Sequence, residues 1–144
     1  MPVRIVTDST ADLPPDVIAR LGITVIPLTI QFGNKMLRDG IDVTKQDIFQ
    51  RLARAATPPI SAPPAQKVFE DAYADLTRQP DSEVVAIHLS SKLSQTFSIS
   101  TRAATPLLGR HKIILIDSQS ISVGLGMMVV AAAEAAHSGA SLDE

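Results

Sequence analysis

Residues 84–91 read Val84-Val85-Ala86-Ile87-His88-Leu89-Ser90-Ser91, an apolar run that ends on two hydroxyls. A run of that length, bounded by turn chemistry and lacking polar alternation, reads as a strand buried on both faces. The layout recurs on either side of it. Val3–Thr7 (VRIVT) runs into Asp8-Ser9-Thr10, and Lys112–Ile116 runs into Asp117-Ser118-Gln119-Ser120. Helical patterns separate these strands. Strands alternating with helices predict an α/β domain, an open, mostly parallel sheet flanked by helices on both faces.

The intervening segments fill in that frame. Pro14 and Pro15 stand where a helix tolerates proline, at its start; Val17, Ile18 and Leu21 then form a stripe, and Gly22 closes it. Ile23–Phe32 is rich in β-formers, but Pro27 has no N–H for a ladder, so an edge or bent strand is expected. Gly33-Asn34 marks a turn, the centre of a small hairpin. Thr44-Lys45-Gln46-Asp47 is a capping box before Ile48, Phe49, Leu52 and Ala56, which are spaced for one helical face. Thr57–Pro64 (TPPISAPP) reads as an extended, rigid loop. Val68, Phe69, Ala72, Tyr73 and Leu76 mark a further helix, 94–105 another that stops near Pro106, and 122–137 an apolar one closed by Gly139. The final four residues, Ser141-Leu142-Asp143-Glu144, form an S-x-x-E capping box, the signature of a helix about to begin. The 144 residues therefore read as one domain, cut short before further chain.

Composition removes several classes of function. Thirteen basic and fifteen acidic residues give a net charge of -2, without the clustered Lys and Arg that nucleic acid or an anionic membrane surface requires. The absence of cysteine excludes disulfides, zinc–thiolate sites and thiol nucleophiles, and it fits a cytoplasmic protein. The longest apolar stretch, Val123–Ala133, is shorter than the ~20 residues of a membrane span, so no integral membrane contact is expected. Gly124-Leu125-Gly126 continues into Met127-Met128 and meets neither a dinucleotide fingerprint nor a P-loop; the glycines are read as places of close backbone approach. No G-x-S-x-G sequence is present, and His88, His111 and His137 lack metal-ligand spacing. No metal, cofactor or catalytic residue is predicted.

In a parallel sheet the three strand ends share one edge, where open α/β folds bind ligands beside helix N-termini. Hydroxyls and amides converging there can hold an anion such as a carboxylate or phosphate. The same residue types also cap helices with no ligand present. Hydroxyl density favours more than a cap at one place: Ser90, Ser91, Ser94 and Thr96 fall within seven residues. On the residues alone two other classes stay open. One is a phosphotransfer or hydrolase module using His88 with Asp8 or Asp117, although His88 at the end of an apolar strand reads more simply as a core histidine. The other is a ligand-free structural or oligomerising domain.

The ordered motifs resemble a known family. Val6-Thr7-Asp8-Ser9-Thr10-Ala11-Asp12-Leu13-Pro14, Gly22–Leu28, Arg38-Asp39-Gly40-Ile41-Asp42, His88–Ser94 and Ile116-Asp117-Ser118 through Gly126 are similar, in order, to the DegV family of fatty-acid-binding proteins. The resemblance implies the N-terminal lobe of a two-lobed carrier. A long-chain fatty acid would lie in a tunnel between the lobes, and a fatty-acid kinase would phosphorylate its carboxylate. The carrier itself would not be an enzyme. The resemblance also implies head-group contacts from two segments, matched here by Ile60-Ser61-Ala62-Pro63 and Leu93-Ser94-Gln95-Thr96. Ser94 carries over directly. The family's carboxylate-binding Thr falls on Ile60, leaving Ser61 to substitute, and Gln95 replaces a glycine. The implied ligand-binding set is Ser61, Ser91, Ser94, Gln95 and Thr96.

Overall fold

The computed structural model describes residues 3–79 and 82–142. Asp143 and Glu144 of the terminal capping box lie outside the described residues. Four strands form an all-parallel sheet: β1 (Arg4–Asp8), β2 (Thr24–Ile26), β6 (Glu83–His88) and β7 (Lys112–Asp117), in the order β2-β1-β6-β7. Helices α1 (Pro15–Leu21) and α5 (Val123–His137) cover one face; α3 (Gln66–Leu76) and α4 (Thr96–Ala104) cover the other. The α/β class with helices on both faces therefore holds.

Two separate cores follow from the two faces. Ile5, Ile87 and Leu89 point toward Leu125, Val129 and Ala133 of α5. Val6, Val84 and Ala86 point the other way, toward Phe69, Tyr73 and Ile99. The period of two along each strand divides the residues between them. Gly126 explains how closely α5 packs: a Cβ there would lie 2.6 Å from the Ala11 carbonyl oxygen.

Two expectations are corrected. Ile23–Phe32 is not one strand: it breaks at Pro27 into β2, at the edge of the parallel sheet, and β3 (Thr29–Phe32), which belongs to a second sheet. The segment 57–64 is not wholly loop, because Ile60–Ala62 forms β5 and pairs antiparallel with β3. With β4 (Lys35–Arg38) across the Gly33-Asn34 turn, these strands make a three-stranded antiparallel sheet, β4-β3-β5. Thr44 and Asp47 form the expected reciprocal cap of α2 (Lys45–Leu52). No residue of α2 is buried, so its stripe covers no core in this chain. Among the described residues no helix is long and apolar enough to cross a membrane.

Candidate functional site

The connections from β1 and β6 leave in opposite directions, β1 toward β2 and β6 toward β7, so the sheet switches its winding between them. Ligands of open α/β sheets bind in the crevice outside such a point. Hydrogen bonds tie the strand ends together there. Ser90 N–H donates to the Ser120 carbonyl at 2.9 Å, Ser118 N–H to the His88 carbonyl at 3.1 Å and Ser122 N–H to the Thr10 carbonyl at 2.8 Å.

Most of the polar side chains on this rim are already used. Ser9 Oγ accepts from Leu28 N–H at 3.0 Å, which ties β1 to the chain beyond β2. Ser90 Oγ accepts from Lys92 N–H, and Ser118 Oγ bonds the backbone of Ser120. Asp117 accepts from Ser91 N–H at 3.1 Å, Ser91 Oγ at 2.5 Å and Gln119 N–H at 3.0 Å. Those bonds hold its carboxyl below the usual range, the Ser91 hydroxyl foremost. Ser91 therefore clamps the β6 exit to the β7 exit.

Beneath the rim lies a fully buried chain of polar groups. Asp8 Oδ1 accepts from Thr10 N–H at 3.1 Å and Thr10 Oγ1 at 2.6 Å; Oδ2 accepts from Leu89 N–H at 3.0 Å and faces His88 Nδ1 at 3.0 Å. His88 Nε2 lies 2.9 Å from Ser100 Oγ, which lies 2.6 Å from Tyr73 Oη. Burial pushes the Asp8 carboxyl up, but hydrogen bonds from His88 and Thr10, the His88 charge interaction and Leu89 N–H outweigh it, leaving the pKa lowered. Asp8, His88 and Ser100 stand in the order carboxylate, imidazole, hydroxyl, the order of a nucleophilic triad. All are fully buried, and Tyr73 already occupies Ser100, so no substrate reaches Oγ in this fold. His88 is a satisfied core histidine packed edge-on against Phe69, with ring centroids 5.3 Å apart. Sequence reasoning paired His88 with Asp8 only as a catalytic alternative and missed Ser100 and Tyr73. The signal was present: the strand period puts Asp8 beside Val6 and His88 beside Ala86 on one face, and Ser100 lies four residues after Thr96.

The structure gathers only part of the predicted ligand-binding set. Ser94 and Thr96 are joined, Oγ to Oγ1, at 2.9 Å, and Ser94 Oγ also accepts from Thr96 N–H at 3.2 Å. Gln95 is exposed and is the N-cap residue of α4, but makes no side-chain cap bond. Ser61 sits on β5, exposed and opposite Ile30; among the described residues no hydrogen bond links it to the Ser94 turn. Each of the two segments carries an exposed apolar neighbour, Ile60 at 65 % and Leu93 at 63 % exposure. A hollow of about 310 Å³ beside the ends of β1 and β2 is walled by Leu13, Ile18, Val25 and Pro27 and rimmed by Asp12, Asp39 and Lys45. Lys45 bridges the two carboxylates there. None of the predicted set lines it.

The profile of the family described as "Uncharacterised protein, DegV family" matches residues 2–144. The chain belongs to the DegV family. A DegV domain-containing protein of Caldanaerobacter subterraneus subsp. tengcongensis, TTE1491, is 38 % identical over 142 residues, covering 99 % of this chain and 50 % of that protein. A DegV domain-containing protein of Deinococcus radiodurans is 33 % identical over 144 residues, with 100 % and 50 % coverage. Among solved structures, a DegV family protein from Thermus thermophilus, described by its fatty acid binding, superposes with a TM-score of 0.87 at 35 % identity. It is covered to 50 %, and this chain to 99 %. DegV of Bacillus subtilis, described as a fatty acid binding protein, gives 0.90 at 27 % identity, again with 99 % of this chain and 50 % of that one covered. The chain thus spans about half the length of the DegV proteins it matches.

Proposed function

We propose that this chain is the N-terminal lobe of a cytoplasmic fatty-acid carrier, which grips the carboxylate of a long-chain acid and presents it to a fatty-acid kinase without itself being an enzyme. Its likeness to the T. thermophilus DegV protein, whose description names fatty acid binding, supports the ligand class. The observation that carries the head-group assignment is the Ser94–Thr96 turn. A hydroxyl has two acceptor sites and one proton. Ser94 Oγ accepts from Thr96 N–H, and when it also accepts from the buried Thr96 hydroxyl both acceptor sites are filled. The Ser94 proton is then left to donate, and what it suits is an anion. Gln95 offers an amide next to it and α4 a helix N-terminus behind it, both favourable to negative charge. Ser61 is the proposed second contact and Ser91 the brace behind the turn.

The energetics divide the labour. A hydrogen bond to a charged head group contributes about 1.5–3 kcal/mol. Each buried methylene adds about 0.8 kcal/mol, partly offset by ordering the chain, so the tail sets affinity and the serines set orientation. The exposed Ile60 and Leu93 stand ready as apolar wall on this lobe, and a second lobe supplies the opposite wall. The chain alone is therefore expected to bind weakly. Mass spectrometry of natively purified protein tests this. A long-chain acid should co-purify, and more of it when the chain is joined to the C-terminal half of a DegV relative. No enrichment in either form would overturn the proposal.

A further inference from the structure

The buried chain of polar groups under the rim has a direction. Asp8 is an acceptor at both oxygens, taking three protons from Thr10 and Leu89 and facing His88 Nδ1 at 3.0 Å. Those three donors hold it as a carboxylate whatever the charge on His88, so Nδ1 has to bring the proton. At the far end, burial pushes the Tyr73 phenol up to about 12 even though Ser100 partly counters it, so Tyr73 keeps its proton. In between, Ser100 Oγ sits 2.9 Å from His88 Nε2 and 2.6 Å from Tyr73 Oη. One arrangement satisfies every group: Tyr73 donates to Ser100, Ser100 donates to Nε2, and Nδ1–H donates to Asp8. An imidazolium would place a second proton on Nε2, and one of the two hydroxyl protons would then have no acceptor within these four groups.

The same chain reaches the proposed head-group turn. Thr96 and Ser100 lie one turn apart on α4, on one face, and both are fully buried. Ser100 is held to the end of β6 through His88; Thr96 is held to Ser94 at 2.9 Å. The apolar contacts of α4 have no direction of their own, so they fix its rotation and height only through the fit of shapes, and a directed bond adds a second constraint. A hydrogen bond between Ser100 and an imidazole that is itself fixed by a carboxylate gives α4 one rotation and one height, and so gives Ser94 one position. The Asp8–His88–Thr10–Leu89 cluster sits where the winding of the sheet switches, so the reference point is the strand ends themselves.

We infer that Asp8, His88, Ser100 and Tyr73 form the positioning device for the Ser94–Thr96 turn, with His88 held as the Nδ1–H tautomer. This rests on the carboxylate-binding reading. Ser100 acts through Thr96 and Ser94 and touches no ligand.

Two readouts test it on the 144-residue chain. Nitrogen NMR of labelled His88 reports its tautomer directly; Nδ1–H is expected, and Nε2–H or an imidazolium at neutral pH overturns the assignment. Titrations with octanoate and with octan-1-ol, followed by NMR shifts, separate head-group grip from apolar packing. Ser100→Ala is expected to weaken octanoate binding roughly tenfold, the loss of one charge-assisted contact, and to leave octan-1-ol unchanged. Tyr73→Phe, which removes one hydroxyl and keeps the ring in the core, is expected to do the same to a smaller degree, and it serves if Ser100→Ala does not fold. Equal losses for acid and alcohol, or no loss for either, overturn the positioning role while wild-type preference for octanoate leaves the carrier reading standing. A wild-type chain that binds both probes alike overturns the carrier reading itself, and the positioning role with it.

Discussion

At the residue scale, hydroxyls of the same type do different work according to where their protons are committed. Ser91 and Ser118 give their protons to the frame, to Asp117 and the Ser120 carbonyl, and Ser9 and Ser90 serve it as acceptors of backbone N–H groups. Ser94 accepts from Thr96 N–H, and in the arrangement where it also accepts from the Thr96 hydroxyl its own proton is left for an anion. Ser94→Ala in the chain joined to a C-terminal half should therefore weaken acid binding about 10- to 100-fold, the equivalent of about 1.5–3 kcal/mol, as read by calorimetry. Asp8 makes a prediction about stability. Its folded pKa lies below the ordinary 3.8, so its contribution is present above pH 3.8 and is lost as pH falls through the lower folded value. Asp8→Asn leaves donors facing donors in a dry site and should cost about 1–3 kcal/mol for each donor stranded at neutral pH. Urea midpoints of the two proteins should then draw together as pH drops below 3.8.

At the element scale, α5 depends on backbone proximity. A Cβ at Gly126 would meet the Ala11 carbonyl oxygen, a backbone atom that cannot swing aside, at 2.6 Å. Gly126→Ala should cost about 1–3 kcal/mol by overpacking despite the better helix propensity of alanine, visible as a lower thermal midpoint. At Gly124 the obstruction is Ser120 Oγ, a rotatable hydroxyl, so Gly124→Ala should cost less. Both glycines were legible in the sequence as points of close approach; which one matters more depends on what lies opposite. Elsewhere the elements were readable in proportion to their local chemistry. The proline-led start of α1, the αL Gly22 at its end and the Thr44–Asp47 box all appear as written. Pro27 was recognised as a breaker, but whether it ends a strand or bends one is decided by the partner strands on either side. β5 was missed because three residues between prolines carry no period; antiparallel pairing with β3 alone makes them a strand.

At the scale of the whole molecule, the parallel sheet is sealed on both faces by α1, α5, α3 and α4, while the β4-β3-β5 sheet and α2 are left with much of their apolar surface outward. The chain spans about half of its DegV relatives, and such surface suits contact with further protein or ligand. Global unfolding has a convenient reporter. Tyr73 is the only tyrosine and there is no tryptophan. Its folded pKa is raised from 10.0 to about 12, so its contribution to stability is complete below pH 10.0 and is lost as pH rises toward 12. Phenolate absorbance should therefore appear together with loss of helical circular dichroism on alkaline titration. Phenolate forming near pH 10 in a chain that keeps its helices would contradict the buried Ser100–Tyr73 bond.

The sequence by itself determined the α/β class, the alternation of the parallel strands with their covering helices, and the crowding of hydroxyls near Ser94, because those follow from local periodicity, capping and composition; the family was legible in the ordered motifs it resembles. Only the tertiary structure decided which hydroxyls are committed. Hydrogen-bond partners such as Asp8 and His88, 80 positions apart in the chain, meet only when β1 and β6 pair. The same long-range pairing separates Ser61 onto a second sheet and turns a candidate catalytic histidine into the anchor of a buried polar chain. A residue's neighbours along the chain fix its conformation; its neighbours across the sheet fix what its protons can do.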